Sequence, residues 1–275
     1  MLTVSQLFIY PIKSLGGISL SSAEVTDRGL KYDRRWMLVD ESNDFISQRE
    51  FAQLALLQVS LQEDGLLVKH KKNNTQIQIP FEPGGDTLRV QVWGDECKSI
   101  EVSATISEWF TRMLGMKCKL VYMPDTSKRR VDTRYVSNKE ITSFSDGFPM
   151  SIIGQASLDD INSRIEQPVS INRFRPNIVF TGGAAFEEDE LTNFAVNNIH
   201  FYGVKLLARC VVTTIDQEEA TKGKEPLRTL ATYRTLNKKV YFGQNLVHEG
   251  AGSISVGDVL EVVERKKSRF KQTTS

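Results

Sequence analysis

Cys210 lies in LLARCVVTTID, residues 206–216, between an arginine and a run of β-branched residues. A lone thiol at a strand end can offer one soft sulfur to a metal. It can equally be a packed core residue, since free cysteines are among the most buried side chains. Both readings stand for Cys210 taken alone, whereas Cys97 and Cys118 are expected to be structural thiols. In an extended strand Cys210 shares a face with Leu206, Ala208 and Val212, and Arg209 points the other way with Leu207, Val211 and Thr213. Arg209 is therefore not expected to activate the thiol as its immediate neighbour unless a bulge intervenes.

Three further segments place basic groups where they could bind an anion. In RFRPNIVF, residues 173–180, an extended chain projects Arg173, Arg175 and Asn177 on one side. Guanidinium forks suit phosphates and planar acceptor edges. The competing reading is a salt-bridge row on an edge strand, with which Pro176 is compatible. YPIKSLGG, residues 10–17, leaves a strand through Pro11 and carries Lys13 and Ser14 on a tight loop, a small anion cradle of lysine, hydroxyl and backbone amides. It lacks the spacing of a P-loop. In KYDRRWMLVD, Arg34 and Arg35 precede Trp36 as a strand begins.

The whole chain limits what these residues can belong to. Its 275 residues suit two domains, and 40% hydrophobic with 25% charged residues are ordinary globular values. The 35 basic and 34 acidic residues leave a net charge of +1, which gives no basis for a nucleic-acid or membrane surface. Any anion must be held by a local cluster. Three cysteines without CxxC spacing and three histidines (His70, His200, His248) without a ligand pair argue against a disulfide framework or a zinc site. A metal here needs a cofactor that brings most of its own ligands. The N-terminus has no signal or transit character, and no apolar run reaches the roughly 20 residues of a membrane span, so a cytoplasmic protein is expected.

Short β-branched or alternating runs recur between turn signals, from LTVSQLFIY at the start to ISVGDVLEVVE at the end. They predict a mainly β (α+β), barrel-like architecture with a few helices. SATISEWFTRMLGM predicts a helix capped by Ser103, and SLDDINSRI one capped by Ser157 with Asp160. EPLRTLATYR predicts a third with Pro226 in its first turn. The polar stretch from Met123 to Phe148 marks a joint. This divides the chain into an N-terminal β-rich domain over 1–125, a β-barrel domain over 126–264 and a basic, frayed tail over 265–275.

Taken in order, YPIKS, DRRW, SFSD, RFRPNIVF, ARCVVTTID and FGQNLVHEGAGSISVGD resemble the MOSC family with its N-terminal companion domain. The pattern is similar to amidoxime-reducing components and YcbX-type proteins. The resemblance implies a MOSC β-barrel packed on an N-terminal MOSC-associated β-rich domain, and a molybdenum cofactor, the pterin that carries molybdenum on a dithiolene. By position it makes Cys210 the molybdenum ligand and catalytic centre. Lys13, Ser14 and Arg34 would meet the cofactor from the N-terminal half, Asp146 and Gly147 would line the pterin, and Arg175 and Asn177 would clamp it. Ala208 and Arg209 would approach it from the strand of Cys210. At Ala208 some relatives carry serine, so a side-chain hydrogen bond is expected to be missing there.

The implied activity is a molybdenum oxidoreductase reducing N-hydroxylated small molecules such as amidoximes, hydroxylamines or N-hydroxylated bases. YcbX-type relatives often continue into an iron–sulfur domain, whereas no iron–sulfur cluster is expected in this chain. Its electrons would come from a separate flavoprotein or small redox protein. The alternative is a carrier of persulfide sulfur or of the cofactor itself. Asp216 and Tyr233 come into view as proton donors but have ordinary structural readings, a turn residue and a buried helix face.

Overall fold

The computed structural model describes residues 1–136 and 139–270. Alternation in strand Leu2–Ile9 buries Leu2 and Val4, and a register shift between Val4 and Gln6 resets it so that Leu7 and Ile9 stay inside. This strand belongs to a ring completed by much later segments. In order the ring runs Met150–Gly154, Ile178–Thr181, Leu2–Ile9, Val259–Arg265, Leu191–Val196, Ile199–Ala208 and Lys239–Glu249, which pairs back onto Met150–Gly154. The result is a closed barrel filled by Val4, Leu7, Ile152, Phe180, Phe194, Phe201 and Leu246. Burying each such side chain contributes roughly 1.5–3 kcal/mol.

The N-terminal part has its own core. A four-stranded sheet of Trp36–Val39, Lys119–Tyr122, Asp95–Glu101 and Thr87–Val92 and a three-stranded sheet of Leu57–Leu61, Gly65–His70 and Gln76–Pro80 are the main strand groups there. Trp36, Leu38, Val59, Val68, Phe110 and Leu120 pack in this core. Helix Ala104–Leu114 closes it, with Ser103 Oγ accepting from Ile106 N at 3.2 Å and Gly115 left-handed at the C-terminus, as the sequence predicts. The described residues are thus mainly β with three α-helices.

Two local expectations change. Helix Gln155–Asn162 begins at Gly154, so Ser157 is not its cap; its hydroxyl instead bonds Glu188 Oε2 at 2.7 Å inside the protein. The closing ISVGDVLEVVE is two strands in different sheets, Gly252–Ser255 against Ser22–Thr26 and Val259–Arg265 in the barrel, separated at Gly257 (φ 98°). Of the tail expected to fray, Lys266 N bonds Glu190 O at 2.9 Å and Phe270 lies 3.8 Å from the Arg234 guanidinium, while 271–275 lie outside the described residues. No helix among the described residues is long and apolar enough to cross a membrane.

Candidate functional site

The chain leaves strand Leu2–Ile9 through Tyr10 and Pro11 and enters a loop fixed at both sides. Lys13 N bonds Trp36 O at 2.8 Å, and Gly16 N bonds Leu57 O at 2.9 Å. Ser14 is left-handed (φ 71°), with its carbonyl accepting from Gln48 Nε2 at 2.7 Å. A Cβ on Gly17 would come within 2.4 Å of the Tyr10 ring, which explains why the loop turns through glycine there.

Asp33 organises the next piece. Its carboxylate accepts from Tyr10 N at 2.8 Å and from Arg34 Nη1 at 2.6 Å, and Arg34 is itself left-handed (φ 50°). Arg34 also reaches Asn177 Oδ1 and the carbonyl of Arg175, both at 3.3 Å. Arg35 turns away and bonds Met123 O and Asp125, a structural contact.

The expected extended row at 173–177 is absent. Ile171–Arg173 is a 3₁₀ turn, Arg175 is left-handed (φ 53°), and the strand starts only at Ile178. The three side chains nevertheless line the same cleft, each held differently. Arg173 pairs with Asp216 at 2.7 Å. The Arg175 guanidinium lies 4.2 Å from the Tyr10 ring and that of Arg34 4.5 Å from the same ring. Asn177 is buried, donating to Phe8 O at 3.2 Å and accepting from Ser151 N at 3.1 Å. It is a latch for Arg34 as much as a cleft wall.

Cys210 and Arg209 do not point apart. The strand carrying them slips register between Leu206 and Ala208 and stops at Ala208, after which Cys210 opens the 3₁₀ turn Val211–Thr214. The strand thus ends before either residue, so its alternation does not govern the pair, and both line the cleft. Arg209 donates to Phe242 O and Phe174 O at 2.7 Å each, leaving Nη2 buried with no partner. The Cys210 thiol is half-buried, whereas Cys97 and Cys118 are buried elsewhere. Tyr233 donates to Asp160 at 2.7 Å and Asp216 is taken by Arg173, the ordinary roles expected of them.

Lys13, Ser14, Arg34, Asp146, Gly147, Arg175, Asn177, Ala208, Arg209 and Cys210 therefore converge on one cleft of about 150 Å³ between the two parts of the chain. Gln48 of its wall exchanges amide hydrogen bonds with Gln217 at 3.3 and 3.1 Å, and Lys71 reaches Gln217 O at 2.7 Å. Lys13, Arg34, Arg49, Arg173, Arg175 and Arg209 line the cleft against a single carboxylate, Asp146. The Asp146 side chain is 71% exposed, and the Lys13 ammonium at 2.6 Å holds its carboxyl below the usual range. Burial pulls Lys13 down despite that pairing. Burial likewise pulls Arg175 to about 10 and Arg209 to about 9, so both stay protonated at neutral pH. Neither has an ion-pair partner among the described residues.

A soft thiol beside a surplus of desolvated cations and an orphaned guanidinium nitrogen fits an anionic, sulfur-bearing metal cofactor. Sequence reasoning missed Tyr10, Asp33, Gln48, Arg49 and Trp93 as parts of this site. Asp33 stands within the DRRW motif and Gly17 signals a close approach, but only packing reveals Tyr10 as the object approached.

Residues 1–117 match the MOSC N-terminal beta barrel domain and residues 139–261 the MOSC domain. The chain belongs to the family of proteins that join these two domains. Among its relatives is mitochondrial amidoxime-reducing component 1 of Mus musculus, 32% identical over 93% of this chain and 81% of that protein. Mitochondrial amidoxime reducing component 2 is 32% identical in Bos taurus and 33% in Rattus norvegicus, over 93% of this chain and 82% of each.

Proposed function

We propose that this protein is a molybdenum-cofactor-dependent oxidoreductase that reduces N-hydroxylated compounds, with electrons from a separate flavoprotein or small redox protein. The observation that carries this reading is the half-buried Cys210 thiol sharing a cation-rich cleft with the unpartnered Arg209 Nη2. The activity in its relatives' names supports the substrate class. When bound, the cofactor supplies the two-electron redox chemistry that N–O cleavage needs. Over the whole reaction an N–OH group, two electrons and two protons give N–H and water.

The chain's own residues bind and orient. Cys210 would hold the metal as a thiolate, its proton given up on coordination. Arg175, Arg209, Lys13 and Arg34 would hold the anionic, hydrogen-bonding cofactor, with Asp33 and Asn177 fixing Arg34. Asp146 sets the Lys13 ammonium in place, and Ser14, Gly147 and Ala208 complete the wall. Protein made in cells that synthesise the cofactor, supplied with a reduced artificial electron donor, should convert benzamidoxime to benzamidine. No conversion by metal-loaded protein would refute the reductase reading, and labile sulfur without stable metal would favour a persulfide carrier.

A further inference from the structure

One tryptophan is placed unlike the others. Trp36 and Trp109 are buried, whereas Trp93 is 45% exposed at the rim of the cleft. It occupies the tip of the hairpin joining Thr87–Val92 to Asp95–Glu101, where Val92 and Asp95 are paired and only Trp93 and Gly94 make the turn. Its backbone is left-handed (φ 57°), a conformation that is strained for a bulky side chain and usual for glycine or asparagine. A Cβ on Gly94 would meet nothing within 4 Å, so crowding at the tip does not force this arrangement.

The indole is nonetheless held in place. Its Nε1 donates to Asp146 Oδ1 at 3.2 Å, the oxygen that also takes Lys13 at 2.6 Å. The Arg49 guanidinium lies 4.4 Å from the ring, and Phe45 packs at 4.9 Å with a 58° tilt. Lys222 fixes the Arg49 backbone from the other side by donating to its carbonyl at 2.9 Å. Val212 and Thr213 line the same cleft next to Cys210, and Val211 beside them is 53% exposed. A pinned aromatic plane thus shares a mouth with the thiol.

We infer that Trp93, backed by Arg49 and Phe45, is a substrate-positioning lip that stacks the aromatic ring of a planar N-hydroxylated substrate. The inference rests on the reductase reading for its substrate class and adds a selectivity that reading does not contain. An exposed indole tied through Asp146 to Lys13 offers an oriented π-face at the site entrance, and aromatic stacking tolerates many ring types.

The test uses cofactor-loaded wild type, Trp93→Ala and Trp93→Phe, with benzamidoxime and hydroxylamine as substrates. In Trp93→Ala the ratio of kcat/KM for benzamidoxime over hydroxylamine should fall about tenfold, the loss residing in KM, with most of it restored in Trp93→Phe. Because the other tryptophans are buried, benzamidoxime should also quench wild-type indole fluorescence saturably, and Trp93→Phe should lose that signal. An unchanged ratio, absent quenching, or a fall in molybdenum content in Trp93→Ala would overturn the proposal, the last by making the indole a cofactor contact. Should wild type reduce neither compound, the reductase reading fails on its own, and the fluorescence titration still decides the lip.

Discussion

Two charge clusters, one lining the cleft and one inside the fold, lie on opposite sides of the same problem. In the cleft the surplus is positive: Arg175 and Arg209 have no acidic partner among the described residues, and the cleft is open. At a second, closed cluster the surplus is negative: Glu188 and Asp189 are buried beside Arg234, with Asp189 paired to it at 2.6 Å and one oxygen of each carboxyl unpartnered. Burial, reinforced by Asp189, raises Glu188 to about 7. A closed surplus is relieved by taking up a proton, whereas an open one awaits an anion.

The sharpest way to break this comparison is to remove one arginine from each side. Arg234→Met strands Asp189 and should cost about 3–5 kcal/mol of unfolding free energy in denaturant titrations, because it leaves a buried charge without its partner. Arg209→Met strands no carboxylate but removes the donor of two carbonyls, so it should cost the cofactor-free protein less than Arg234→Met, about 1–3 kcal/mol, while lowering cofactor retention. Equal losses would erase the distinction between a structural and a ligand-binding arginine. Lys13→Ala combined with Arg175→Ala should likewise reduce pterin fluorescence in the purified protein while the circular dichroism spectrum stays unchanged.

The smallest effect concerns pH. Between the ordinary 4.5 and the folded value of about 7, the native state holds a proton on Glu188 that the unfolded chain has released. Stability from this group is therefore complete below 4.5 and is lost as pH rises through 7. Glu188→Gln should flatten that part of the stability profile, and an unaltered slope would show that Glu188 is ionised throughout.

The β-rich architecture was legible because alternating runs such as Gly65–His70 and Gln76–Pro80 carry their period in the sequence. The pairing of Leu2–Ile9 with strands some 170 to 260 positions along was not, since register between distant strands leaves no local signal. Every site residue proposed from the motifs reaches the cleft, but by routes the local rules misjudge. Arg209 lies just past the end of its strand and Arg175 is left-handed, and at both places periodicity fails. Tyr10, whose ring two guanidiniums approach, has no signature beyond the glycine that makes room for it.

The central claim is that the open cationic cleft holds a molybdenum cofactor through Cys210, and elemental analysis tests it most directly. Wild-type protein from cofactor-competent cells should carry about one molybdenum per chain. Cys97→Ser and Cys118→Ser should match it, and Cys210→Ser should be folded and nearly metal-free. Equal molybdenum in wild type and Cys210→Ser, or none in either, would contradict the account.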